Sequence, residues 1–272
     1  MPIPRFAYKD LDALLNELGL TQNMNVIVHS RLASFGYIEG GAGMVTNCLL
    51  DKIQPNGTVL FPTYTFDIRE NDIFNRRHTP FPSTGSLPAY IHSLPDSVRT
   101  HCPIHSHVGL GPLVQELIGQ VNPAFSIGHG SSFEWMANRG FHLLFLGTNF
   151  DEGATYIHHM EAMVGVPYRE WITLKRQVCF EGGVQTLECP YYARKPNIDK
   201  NCFKKIENSI GSMFPTVYVH NRPSRLLNLS LLDQLTRDFL QANPYGLLSS
   251  DGMQGIGTRC PTSHNTFPSA AS

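Results

Sequence analysis

The densest run of reactive side chains in this chain is Leu146-Gly-Thr-Asn-Phe-Asp-Glu-Gly-Ala-Thr-Tyr-Ile-His-His-Met-Glu161. It reads as a strand end, an acidic glycine-containing loop and a helix, and in open α/β sheets ligands bind at the carboxyl ends of strands. Thr155, His158 and Glu161 fall at i, i+3 and i+6, which sets an imidazole between a hydroxyl and a carboxylate on nearly one helix face. His159 points about 100° away. A neutral imidazole beside a carboxylate can act as a general base near neutral pH. From spacing alone, the plainer alternative is a helix histidine with a surface glutamate.

Two further clusters carry weaker signals. His101, Cys102, His105 and His107 crowd into seven residues, but their spacing matches no ordinary structural zinc site, so they read as loop histidines. A zinc hydrolase built on His101, Cys102 and His105 is the weakest reading. The segment His29-Ser30-Arg31-Leu32-Ala33-Ser34 follows a short β-branched run and precedes Gly40-Gly41 at a helix start. Its amides and hydroxyls could hold an anion, or simply close a βα loop. GxxxxGK[ST], GxGxxG after a strand and GxSxG are absent, which removes P-loop kinases, simple Rossmann dehydrogenases and α/β-hydrolases from the front rank.

The elements that must position these residues follow from periodicity. Leu11, Leu14, Leu15 and Leu18 form an amphipathic stripe behind Asp10 as N-cap. Asn25–Val28 and Thr58–Phe61 read as buried strands around a helix over Gly43–Ile53, a βαβ unit. Helices are expected at Pro112–Ile118, Ser132–Arg139 and Ala154–Val164, with a strand at Phe141–Leu146. Beyond Pro167 the pattern changes: Ile172–Phe180 and Val184–Glu188 flank Gly182-Gly183, a hairpin signal. Ser230–Ala242 closes as a helix with Ser230 as N-cap. The expected fold class is α/β, a layered αβα core with a central mixed sheet plus an antiparallel β extension. One domain over residues 1–250 is expected, with the core at about 1–170, the extension and closing helix at about 171–248, and a flexible tail at 249–272.

Composition narrows the function classes. The 272 residues carry 21 Lys plus Arg against 22 Asp plus Glu, a formal charge of −1, so the basic excess that nucleic acid or a membrane surface demands is missing. The start, Met1-Pro2-Ile3-Pro4-Arg5, has no apolar leader and no window reaches membrane-span length. A cytoplasmic protein is expected, with its six scattered cysteines reduced.

Several collinear motifs over roughly residues 10 to 170 resemble the aminoglycoside 3-N-acetyltransferase (antibiotic N-acetyltransferase) family. Val28-His-Ser-Arg-Leu-Ala-Ser-Phe-Gly36 is similar to that family's V-H-S-S-L-S-S-[FL]-G, and Gly57-Thr-Val-Leu-Phe-Pro-Thr-Tyr-Thr65 to G-T-[LV]-[LV]-x-P-T-[FY]-T. Thr79-Pro80, Thr84-Gly85, Arg99-Thr100, Pro103-Ile-His-Ser106 and Gly128-His-Gly-Ser-Ser132 follow in order. The most specific block, Leu146-Gly-Thr-Asn-Phe through Thr155-Tyr-Ile-His158-His-Met-Glu161 to Val166-Pro-Tyr-Arg169, resembles L-G-x-x-x…T-x-L-H-x-x-E…[IV]-P-Y-R.

The resemblance implies acetyl-CoA-dependent transfer to a primary amine of an amino sugar, in a ternary complex and without a metal. His158 matches the family's catalytic histidine. Glu161 would orient it or hold the incoming ammonium, and Thr155 would contact the thioester or its oxyanion. His29, Ser30, Arg31, Leu32, Ala33 and Ser34 match the segment that lines CoA, and Thr84, Gly85 and Ser86 would add contacts. Asp67, Arg76, Arg77, Asp151 and Glu152 are assigned to the acceptor. The chain departs from the pattern at Arg31, where the family has Ser, and at Cys102, where His is common. Phe74-Asn-Arg-Arg-His-Thr-Pro80 replaces F-D-P-x-x-T-P; its Arg76 and Arg77 would suit a phosphate, which keeps a nucleotide-linked amino sugar as an alternative acceptor. A non-catalytic CoA or sugar-binding protein is a further alternative. Neither nucleic acid nor membrane is expected as a partner, and a homodimer is an assembly open to such a chain.

Overall fold

A computed structural model describes residues 5–198 and 200–249 of the chain. In chain order the elements are β1 (Arg5–Phe6), α1 (Tyr8–Glu17), β2 (Val26–Ser30), β3 (Tyr37–Ile38), α2 (Gly41–Ile53), β4 (Val59–Pro62), β5 (Ile73–Phe74), α3 (Ser86–His92), β6 (Val98–Arg99) and β7 (His107–Leu110). They continue with α4 (Leu113–Gln120), α5 (Ser132–Asn138), β8 (His142–Leu146), α6 (Phe150–Gly153) and α7 (Thr155–Val164). The last are β9 (Arg169–Phe180), β10 (Gly183–Arg194), α8 (Lys204–Ile210), β11 (Thr216–Val219), β12 (Arg222–Asn228) and α9 (Leu229–Ala242). Short 3-10 turns lie at Leu32–Phe35, Pro82–Thr84 and Gly211–Met213.

Seven strands form the central sheet in the order β11-β12-β8-β2-β4-β7-β6. It is mixed: β2 runs parallel to β4 and β8, while β12 joins β8, and β7 joins β4, antiparallel. Strand alternation divides the apolar side chains between two layers. Val26, Val28, Val59, Phe61, Leu144 and Leu146 face the layer of α1, α2 and α3. Ile27, Leu60, Leu143 and Phe145 face the layer of α4, α5, α7 and α9. This is the expected αβα core. The antiparallel extension is also present: β9 and β10 pair over twelve residues each, and β5 adds to β9 in parallel.

Some boundaries differ from those read in the sequence. Helix α1 starts at Tyr8, so Asp10 is not its N-cap; its carboxylate sits one turn in and accepts the Ala7 amide at 2.9 Å. Helix α9 is capped by Asn228, whose Oδ1 accepts the Leu231 amide at 3.0 Å, in place of Ser230. His29 and Ser30 complete β2 instead of opening a loop. The expected tail lies outside the described residues apart from Ser249. Cys48, Cys102, Cys179 and Cys189 are free, whereas Cys202 is disulfide-bonded, so the reduced reading does not extend to Cys202.

Helix α8 is tied to the sheet through one buried ion pair. Arg225 on β12 donates from Nη1 to Glu207 Oε1 at 2.5 Å, and from Nε to Thr216 Oγ1 at 3.1 Å. Both charged side chains are buried. Removing one member strands the other charge in a medium that solvates it poorly. Glu207→Ala is therefore expected to cost about 3–5 kcal/mol of stability, whereas the apolar pair Glu207→Leu with Arg225→Met comes close to wild type. Urea unfolding midpoints of the two variants check this.

Candidate active site

Helix α7 carries the catalytic candidates, and the chain around it supplies their supports. Gly165 ends the helix with φ +75°, a left-handed conformation that favours glycine, and its amide bonds the Glu161 carbonyl at 3.0 Å. The reversal brings Tyr168 and Arg169, at the start of β9, back onto Glu161. Asn201 arrives from after β10, held by a bridge between its backbone and Leu248.

Glu161 is fully buried and its two oxygens are both engaged. Oε2 accepts from His158 Nδ1 at 2.6 Å and lies 2.9 Å from Arg169 Nε, an ion pair without hydrogen-bond alignment. Oε1 accepts from the Tyr168 hydroxyl and from Asn201 Nδ2, each at 2.6 Å. Arg169 Nη2 donates to Asn201 Oδ1 at 2.9 Å, and Nη1 to the Tyr192 carbonyl at 3.1 Å. Burial alone would raise the Glu161 pKa, yet His158, Arg169 and the Tyr168 hydroxyl together hold it below its ordinary value. It is an anion in place before any ligand arrives.

Arg169 Nη2 also lies 3.0 Å from His158 Nδ1, but the anionic Glu161 Oε2 at 2.6 Å is the nearer partner and takes the Nδ1–H, which assigns the lone pair to Nε2. The ring packs edge-on against Phe203, with centroids 4.9 Å apart, and 34% of the side chain remains exposed. Desolvation lowers the His158 pKa from 6.5, with Glu161 pulling the other way and Arg169 reinforcing the fall. The imidazole is thus neutral at pH 7, oriented by a carboxylate and open at one edge, which are the requirements of a general base. Thr155 lies one turn before it, facing Tyr64.

The His29–Ser34 segment lies at the carboxyl ends of β2 and β8. Ser34 Oγ donates to the Gly147 carbonyl at 2.7 Å, and a Cβ on Gly147 would meet Ser34 Cβ at 2.7 Å, so a side chain at 147 would push the two loops apart. Arg31 and Arg222 converge on the single carboxylate of Glu152, Arg222 Nη1 at 3.2 Å. Two guanidiniums on one carboxylate leave an excess positive charge at the surface. That donor set fits the phosphates of acetyl-CoA, which would bring the thioester acetyl group to be transferred. Thr84, Gly85 and Ser86 precede and open α3.

The acceptor assignments spread more widely. Glu152 is occupied by Arg31 and Arg222, and Asp151 Oδ1 accepts the Lys204 amide at 3.1 Å, with burial raising its pKa. Asp67 and Arg77 are exposed in the segment around β5, and Arg76 is half-buried. The structure therefore joins Thr155, His158 and Glu161 on one helix, and Arg31 with Glu152. Among the described residues, Asp67, Arg76 and Arg77 join neither group. A cavity of about 250 Å³, lined by Thr100, His101, Cys102, Phe125, Ser132 and Phe180 among others, shares no residue with the His158 network. His101 stacks near Phe180, and among the described residues no group of three or more His, Cys, Asp or Glu is arranged to hold a metal.

Arg169, Tyr168 and Asn201 are supports to which sequence reasoning gave no role. Tyr168 and Arg169 were visible as the end of a motif. Asn201 lies 40 positions from Glu161 with no local pattern to mark it.

Fold and site together define a layered α/β protein with a carboxylate-bound histidine on α7 and a separate cationic pair at the ends of β2 and β12. The sequence profile of the aminoglycoside 3-N-acetyltransferase family matches residues 27–241, and the chain belongs to that family. Membership makes it an acyltransferase with acetyl-CoA as co-substrate. It is 28% identical over 189 residues to the SPbeta prophage-derived aminoglycoside N(3')-acetyltransferase-like protein YokD of Bacillus subtilis (strain 168), covering 62% of this chain and 68% of that one. It is 29% identical over 182 residues to aminoglycoside N(3)-acetyltransferase III of Salmonella sp, covering 61% of this chain and 63% of the relative. Among solved structures, AAC-IIIb in binary complex with CoASH superposes with a TM-score of 0.78 at 19% identity, over 88% of this chain and 97% of that one. The B. subtilis YokD crystal structure gives 0.77 at 22% identity, over 89% and 96%. At these identities the superpositions speak for the fold.

Proposed function

We propose that this chain, as a single domain over residues 1–250, transfers the acetyl group of acetyl-CoA to a primary amine of an amino sugar. The acceptor and acetyl-CoA are bound together, in the cytoplasm, with His158 as general base. The observation that carries this is the His158–Glu161 pair: an imidazole with Nδ1 fixed at 2.6 Å from a fully buried carboxylate, leaving Nε2 toward the exposed edge. An ammonium cannot attack a thioester until it has lost a proton, and Nε2 is the acceptor placed for it. Because both Glu161 oxygens are spent on His158, Arg169, Tyr168 and Asn201, its role is to orient the base and not to grip the ammonium. Thr155 supplies a hydroxyl on the same helix toward the developing oxyanion. His29 to Ser34, with Thr84, Gly85 and Ser86, hold the CoA, and Arg31 with Arg222 supply the charge for its phosphates.

The first acceptor is an aminoglycoside, the substrate class of the family. Arg76 and Arg77 would suit a phosphate, which keeps a nucleotide-linked amino sugar as the alternative. Turnover assays with acetyl-CoA against a panel of aminoglycosides and a panel of nucleotide-linked amino sugars separate the two acceptors. The expected result is CoA release with at least one panel. No turnover with either overturns the acetyltransferase reading and favours a non-catalytic CoA-binding protein.

A further inference from the structure

Behind the base lies a set of buried polar atoms that the proposed chemistry has not used. His29 Nε2, His105 Nδ1 and His107 Nε2 are all buried without a hydrogen-bond partner, and the buried Tyr64 hydroxyl among them meets Thr155. They are neighbours. The Tyr64 ring lies 4.9 Å from that of His105, 5.6 Å from His107 and 6.2 Å from His29, centroid to centroid. At one end the Tyr64 hydroxyl faces Thr155, one turn from His158, and His105 lies within electrostatic reach of His158. At the other end His29 is followed by half-buried Ser30, the last residue of β2, and then by exposed Arg31.

A lone unsatisfied buried polar atom costs about 1–3 kcal/mol. Three in one group around the Tyr64 hydroxyl, drawn from β2 and from the start of β7, form a polar site with donors and acceptors enough to satisfy internal water. We propose that Tyr64, His105, His107 and His29 hold a chain of ordered water that carries a proton from His158 to the surface at Ser30-Arg31. This rests on the acetyltransferase reading above. The proton account requires an outlet. An amine that arrives as an ammonium carries three protons and leaves as an amide carrying one, as the C–N bond forms and the C–S bond breaks. One proton goes to the departing thiolate and the other must leave the site. The proton taken at Nε2 leaves along the face of α7 shared with Thr155, whose hydroxyl meets that of Tyr64, so the outlet lies inward. Burial keeps His29, His105 and His107 neutral, so they pass a proton on without storing it.

His105→Gln tests the relay, because an amide keeps the volume and hydrogen bonds but cannot be protonated and deprotonated at one site. With the amine that wild type turns over, His105→Gln is expected to lower kcat by about tenfold or more with KM for acetyl-CoA unchanged. The solvent deuterium proton inventory should pass from curved in wild type to linear in the variant. Wild-type kcat and an unaltered inventory in a folded His105→Gln overturn the proposal. If that variant does not fold, the wild-type inventory decides: curvature supports a relay of several protons, and a straight line overturns it. Hydration is read without turnover, in a crystal structure at about 1.2 Å or better, where water bonded to Tyr64 Oη, His105 Nδ1 and His107 Nε2 is expected. A dry cluster overturns the proposal. Failure of wild type to turn over any amine overturns the acetyltransferase reading instead, and the crystal still decides the hydration.

Discussion

His158→Ala is expected to lower kcat by roughly 10²- to 10⁴-fold, the usual worth of a positioned proton acceptor, while KM for acetyl-CoA stays close to wild type. The split follows from the geometry. His158 stands on α7 with its working nitrogen toward the exposed edge, whereas the cationic loop of Arg31 and Arg222 belongs to the ends of β2 and β12. The pH profile gives a second reading of the same residue. The base works as the neutral imidazole, and burial sets its pKa below the ordinary 6.5. Activity controlled by this group is therefore complete above 6.5 and falls as pH drops through a midpoint lower than that. Unchanged kcat in the alanine variant, or a midpoint above 6.5, removes His158 as the base. Steady-state kinetics of wild type and variant from pH 5 to 9 check both.

Acid is expected to unfold this protein early. Burial pushes His29 down to about 4 and His105 and His159 down to about 3, all from an unfolded value of 6.5. For a histidine lowered in this way the unfolded chain binds the extra proton, so stability falls as pH drops below 6.5 and keeps falling until the folded value is reached. At pH 5 each of the three contributes about 2 kcal/mol of destabilisation relative to pH 7, roughly 6 kcal/mol together. A domain of this kind has only about 5–15 kcal/mol to lose. His107, lowered well below 6.5 by the same burial, adds to the effect. Urea midpoints measured at half-unit steps from pH 7.5 to 4.5 should collapse between 6 and 5. A flat series would mean that these rings protonate within the folded state and overturns the prediction.

How much of this was legible in the sequence depends on how local each signal is. The βαβ unit around Val26–Pro62, helix α7 and the β9–β10 hairpin announce themselves through side-chain period and glycine turns, and each forms as expected. The His158 and Glu161 pairing is likewise a matter of three positions on one helix. What the sequence conceals is whatever depends on distant chain segments meeting. Strands β11 and β12 carry Arg222, Ser224 and Arg225, polar residues that break the strand pattern because they pair with Glu152, Gly147 and Glu207 from elsewhere. The loop histidines His105 and His107 read as incidental until the fold buries them against Tyr64 and Phe133. Asn201 reaches Glu161 only because the hairpin intervenes and returns.

The insertion of β12 beside β8 also sets a schedule for biosynthesis. Strand β8, pairing Phe145 with His29 on one side, has Arg225 on the other. A chain emerging from the ribosome exposes β8 roughly 80 residues before its second neighbour exists, on the order of 4–16 s at ordinary elongation rates. Through that interval the middle of the sheet is an apolar edge with unpaired amides, the kind of surface that recruits the wrong strand. Helix α7 follows β8 after the single turn of α6, so it is made early but gains its closing wall, α8 and Asn201, only once the later chain docks. Translation speed across residues 146–228 thereby sets how long that edge stays open.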